Sequence, residues 1–169
     1  MPKLHYVKSA QKDNSVVKKG QPYWWAKFKT GPYTSLKKMW ATRPRPSQMT
    51  MSVYWGPVYA VQEHFEDSTI GDLDDMQPLI DDLVQQVQEI LDETQEKFDN
   101  MPEGLQQGDT GQTLEERIGN LEQVVSDLES INIPEDSDYD VDTDGEKEDW
   151  LESQIDDFRA EVENALANF

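Results

Sequence analysis

The chain has 169 residues, no cysteine, and a net charge of −20 from 15 Lys/Arg and 35 Asp/Glu. Disulfides, thiolate metal sites and a cysteine nucleophile are excluded, and a hydrophobic share of 36% leaves a thin core suited to elongated helices with narrow apolar stripes. No apolar run approaches 18 residues and the start Met1-Pro2-Lys3-Leu4-His5-Tyr6 lacks an apolar h-region, so no membrane contact and no leader are read and a cytoplasmic setting is expected.

The charge is divided along the chain. Residues 1–50 hold eleven Lys/Arg and one acid, Asp13, for +10; residues 51–169 hold four basic residues and 34 acids, for −30. Residues 1–50 therefore form a basic aromatic segment. Residues 1–20 read as irregular. From Pro22 to Thr30, Trp25 and Lys27 alternate with Ala26 and Phe28, the period of a strand. Gly31-Pro32 is a turn signal, and Tyr33 to Trp40 is expected to return as the second strand of a small β-hairpin. Thr42-Arg43-Pro44-Arg45-Pro46-Ser47 is expected to be extended, because each proline restricts the residue before it.

Residues 51–133 are expected to form a short helix and an amphipathic helical hairpin. The short helix should follow Gly56-Pro57, with Pro57 at its first position. Leu73, Met76, Ile80, Leu83, Val87, Ile90 and Thr94 then step by 3 and 4, with Phe98 extending the stripe, which is a coiled-coil seam. Pro78 confines the regular helix to about residues 76–99. A second helix is expected to open at a capping box, Thr113 with Glu116, and to bury Leu114, Ile118, Leu121, Val125 and Leu128. Residues 134–149 read as an acidic linker. Residues 150–169 read as a C-terminal amphipathic helix with Leu151, Ile155, Phe158, Val162 and Leu166 on its stripe. The fold expected is mainly α: an acidic antiparallel helical bundle or coiled-coil hairpin with a small N-terminal β-hairpin.

Three groups of residues carry chemistry. In the first, Trp24, Trp25, Phe28 and Trp40 interleave with Lys27, Lys29, Lys37, Lys38, Arg43 and Arg45. Aromatic rings stack on unpaired bases and cations neutralise phosphates, which makes residues 3–45 a candidate nucleic-acid or partner surface. The same residues also suit the core and solvated face of a hairpin, or a segment docked on the chain's own acidic helices. In the second group, Asp81, Asp82, Glu89, Asp92, Glu93, Glu96, Glu115, Glu122, Asp156 and Asp157 crowd the polar faces of the helices with few lysines among them. Such self-repulsion destabilises a fold, so these acids read either as a solubility device or as a partner surface imitating a DNA backbone.

The third group, Asp140, Asp142 and Asp144 before Gly145, matches the opening of a calcium-binding loop. Lys147 and Leu151 depart from the rest of that pattern, and a solvated acidic linker is the competing reading. With His5 and His64 as the two histidines, no phosphate loop and no nucleophile elbow, no catalytic set and no cofactor is read.

Lys12-Asp13-Asn14, Lys18-Lys19-Gly20, Tyr23-Trp24-Trp25 with Lys27-Phe28, and Arg43-Pro44-Arg45-Pro46-Ser47-Gln48-Met49-Thr50 together resemble the opening of an uncharacterised family of small tailed-bacteriophage proteins, over roughly residues 8–52. Met49 stands where that pattern has leucine. The resemblance implies a phage origin and brings no activity or site residues with it. The function expected is non-enzymatic: a phage accessory protein in the host cytoplasm that engages a host or phage nucleic-acid machine, with a protein partner, nucleic acid at residues 3–45, and self-association through the seam. A DNA-mimic inhibitor of a host defence or DNA-processing enzyme is the alternative, and a structural virion component a third.

Overall fold

The computed structural model of the chain describes residues 1–135 and 144–169. The protein is mainly helical, with a small three-stranded antiparallel sheet at its N-terminus. Two compact units divide the chain, Met1–Glu63 and His64–Phe169.

In the first unit the strands are β1 (Leu4–Val7), β2 (Tyr23–Lys29) and β3 (Ser35–Trp40), in that spatial order. The expected hairpin is β2 with β3, turning after Thr30, where Thr30 N–H donates to Thr34 O. β1 corrects the irregular reading of residues 1–20: Leu4-His5-Tyr6-Val7 pairs with β2 from Leu4 opposite Ala26 to Val7 opposite Tyr23. A third strand supplies what a lone hairpin lacks in water. The β1–β2 connection is tied down as well. Asn14 Oδ1 accepts from the N–H groups of Val16 and Val17, and Asp13 Oδ1 from Lys19 N–H at 2.7 Å. Gly20 supplies the positive φ of 90° at the return.

One face of the sheet buries Ala26 and Phe28 against Met49, with Leu4 and Trp40 packed beside them. Met49 comes from a 3-10 turn, Pro46–Met49. The expected extended run therefore stops at Arg45, which is itself extended as a residue before proline must be. Beyond it, helix α1 (Trp55–Asp67) begins two residues earlier than expected. Pro57 still lies in its first turn, where no intrahelical donor is needed. Glu63 of α1 accepts from Ser47 twice, from N–H at 2.8 Å and from Oγ at 2.6 Å.

In the second unit α2 runs Met76–Asp99, as the seam predicts, and buries Met76, Ile80, Leu83, Val87, Ile90 and Thr94. The Thr94 hydroxyl donates to Ile90 O, so this polar member of the stripe is satisfied. A short helix α3 (Glu103–Gln106) occupies part of the expected loop. Helix α4 (Asp109–Glu129) opens four residues before the expected capping box. Thr113 instead lies inside the helix, its hydroxyl donating back to Asp109 O at 2.8 Å. Its buried stripe is Ile118, Leu121, Val124 and Leu128; Val124 takes the place expected of Val125.

The packed pair α2 and α4 is antiparallel. Gln77 and Ile80 share a cavity with Leu128 and Ile131, while Gln106 Nε2, just before α4, donates to the carbonyls of Phe98 and Met101 at the far end of α2. Helix α5 (Asp144–Leu166) starts six residues ahead of the expected Trp150 and buries Phe158, Val162, Ala165 and Leu166. Residues 136–143 of the expected acidic linker lie outside the described residues. Within the same unit, Arg159 Nη2 donates to Ser68 O at 2.8 Å, and its guanidinium lies 5.7 Å from the Phe65 ring centroid.

Candidate nucleic-acid interface

Directly opposed residues of paired strands share a face, and the register sorts the predicted aromatic and basic residues into two sets. Trp24 lies opposite Trp40, Ala26 opposite Lys38 and Phe28 opposite Leu36, which places Trp24, Phe28, Lys38 and Trp40 on the covered face. Phe28 is 4% exposed, so its expected role as a contact residue is corrected to one in the core. Lys38 Nζ lies 5.0 Å from the Phe28 ring, and Arg43 lies 6.0 Å from Trp24, which also meets Tyr6. Arg43 and Arg45 follow β3 and are exposed, on either side of the buried Pro44.

The opposite face is the open one. It carries Trp25, Lys27, Lys29 and Lys37, together with His5, Val7, Tyr23 and Met39. Lys27 faces Lys37 directly, and both are exposed. Among the described residues neither lysine, nor Lys29, forms an ion pair. Like charges directly opposed in a sheet are destabilising, so this arrangement works against the strand pairing that holds it. Trp25 lies between the neighbouring strands' side chains. The His5 ring stacks on it at 4.2 Å with 9° between planes, and Lys37 Nζ lies 4.7 Å from its centroid. The face thus presents three lysines and an ordered aromatic pair, and no strand residue on it is acidic.

Beside Lys37 the face runs into a groove of about 720 Å³ between the strands and the segment after β1. Val7, Tyr23 and Met39 line it from the sheet; Gln11, Lys12 and Asn14 line it from the segment. Sequence reasoning missed His5, Tyr23 and Met39 as members of the site. The signal was present in Leu4-His5-Tyr6-Val7, whose β-branched and aromatic content marks a strand.

The ten predicted acidic residues are all exposed. On α2, Asp81, Asp82, Glu89, Asp92, Glu93 and Glu96 are joined by Asp99, and on an ideal helix these seven fall within roughly a 120° arc away from the buried stripe. Their partners are mostly neutral. Glutamine amides of Gln77, Gln86, Gln85 and Gln95 donate to Asp81, Asp82, Glu89 and Asp99, each four residues away. Asp82 also meets His64 Nε2 at 2.7 Å, and Glu93 meets Lys97 at 3.2 Å. Amide–carboxylate bonds at this spacing orient the acids and leave their charge in place. Glu115 and Glu122 lie two turns apart on α4, and Asp156 and Asp157 are adjacent on α5.

Of the calcium-loop residues, Asp140 and Asp142 lie outside the described residues, and Asp144 opens α5. Among the described residues no group of His, Cys, Asp and Glu could hold a metal ion, and no helix is long and apolar enough to cross a membrane. Comparison with family models, with curated proteins and with solved structures finds no match to this chain.

Proposed function

We propose that the chain is a non-catalytic accessory protein of a tailed phage, acting in the host cytoplasm. Its basic sheet face holds nucleic acid, and its acidic helices, arranged as an antiparallel bundle, engage a protein of a nucleic-acid machine. The observation that carries this reading is the open face itself. Lys27 is set directly against Lys37 with Lys29 beside them, an arrangement that costs stability in the free protein and is relieved when phosphates lie across it. The ordered His5–Trp25 pair adds ring surface next to these cations.

The test is fluorescence anisotropy of a labelled oligonucleotide with the intact chain over a range of salt. Binding should weaken steeply as salt rises. Replacing Lys27, Lys29 and Lys37 together with alanine should flatten the logarithmic salt slope by about 2. A slope unchanged by those three substitutions would remove this face from the site.

A second reading, a DNA-mimic inhibitor, is favoured by α2. Its seven acids from Asp81 to Asp99 occupy about 27 Å of helix axis, roughly one carboxylate per 4 Å. One strand of duplex DNA carries a phosphate about every 3.4 Å. Capture from a host lysate separates the two readings. A DNA-processing protein retained by the intact chain after nuclease treatment, and released by Asp92→Lys with Glu96→Lys, would favour mimicry; partners lost with nuclease favour the sheet face.

A further inference from the structure

The groove next to Lys37 is the part of the basic face that a simple phosphate-binding surface would not need. Its sheet side is apolar and aromatic, from Val7, Tyr23 and Met39, and its rim carries Lys12, Lys37 and the amides Gln11 and Asn14. No acid lines it. The rim segment is held in place from within, because Asn14 and Asp13 accept the backbone N–H groups of Val16, Val17 and Lys19. A concave site with an apolar floor and a few fixed polar groups suits a flat ring with polar edges, and two amines at its mouth suit an attached phosphate.

We propose that this groove receives one unpaired nucleotide, so that the nucleic acid held by the face is single-stranded. This rests on the nucleic-acid reading of the same face. Lys37 belongs both to the groove and to the cation–ring contact with Trp25, and it sets the path: the backbone crosses Lys27, Lys29 and Lys37, and the next base turns in over Tyr23. A duplex has no free base to offer and binds through its phosphates alone.

The experiment compares a labelled single strand of about ten residues with a blunt duplex of the same sequence, using the intact chain, Lys12→Ala, Tyr23→Leu and Lys27→Ala. Circular dichroism and a melting curve verify the fold of each variant. The expected result is that the single strand binds about ten-fold or more tighter than the duplex. Lys12→Ala and Tyr23→Leu should each weaken single-strand binding several-fold and leave the duplex unchanged, whereas Lys27→Ala weakens both.

Equal binding of the two forms, or equal losses for both in Lys12→Ala and Tyr23→Leu, would overturn the groove assignment while leaving the basic face as a nucleic-acid site. No binding of either form by the intact chain would overturn the reading of the face, and the groove with it. Should Tyr23→Leu disturb the fold, Lys12→Ala, on an exposed residue, decides the question alone.

Discussion

The two units of this protein carry opposite charge on different scaffolds, and they treat it alike. The first holds eleven Lys/Arg against two acids, Asp13 and Glu63, and both acids accept backbone N–H groups: Lys19 for Asp13 and Ser47 for Glu63. They hold a loop and a turn in place, and the strand lysines keep their charge unopposed. In the second unit glutamine amides take the place that lysines would ordinarily hold along α2. In each unit the groups that order the surface leave its charge intact. This suits surfaces completed by a partner of the opposite sign better than surfaces built for stability.

Each unit combines a buried apolar core with polar ties. The helical unit depends on close packing, and Gly111→Ala is the sharpest way to break it. A Cβ there would stand 1.9 Å from Gln106 O and 2.4 Å from Gln106 C, both backbone atoms. The helix-propensity gain of alanine, about 1 kcal/mol, is outweighed, and a net loss of about 3 kcal/mol is expected in chemical denaturation. The first unit has polar ties beside its buried core of Ala26, Phe28, Met49, Val58 and Val61. Ser47→Ala removes the hydroxyl bonded to Glu63 at 2.6 Å and should cost about 1.5 kcal/mol by the same measurement.

Arg159→Ala removes the bond to Ser68 O and the contact with Phe65. Its expected cost of about 1 kcal/mol should appear as a lower melting temperature with nucleic-acid binding retained. Gly119→Ala, on the same helix as Gly111 but with nothing within 4 Å of the added carbon, should instead stabilise by about 0.7 kcal/mol. Opposite signs at Gly111 and Gly119 would show that packing, not helix propensity, governs this unit.

Much of the helical unit was legible because a regular apolar stripe fixes both the period and the buried face. α2 occupies Met76–Asp99 and buries six positions of its predicted seam. The ends of α4 and α5 were less legible. Thr113 has the residue type of a cap, but its hydroxyl bonds Asp109 O within the helix, and sequence spacing cannot tell these two uses apart. In the sheet unit the alternation of β2 separated Trp25 and Lys27 from Ala26 and Phe28 correctly. It gave no means of pairing β2 with Leu4–Val7 across the intervening segment, so the His5–Trp25 stack and the groove were not anticipated. Pooling Trp24, Phe28 and Trp40 with Trp25 combined two faces: the alternation of β2 already separates Trp24 and Phe28 from Trp25, whereas placing Trp40 needs the register.

The most direct measurement is the pair of numbers given by Lys27→Glu: its melting temperature and its affinity for a single-stranded oligonucleotide. The substitution turns a like-charged pair with Lys37 into an opposite-charged one, which should stabilise the sheet by about 0.5 kcal/mol. It also places a negative charge where a phosphate is expected, which should weaken binding by an order of magnitude or more. A protein that melts higher and binds less is the predicted result. Unchanged affinity, whatever the change in melting temperature, would contradict the claim that this lysine pair is kept for nucleic acid.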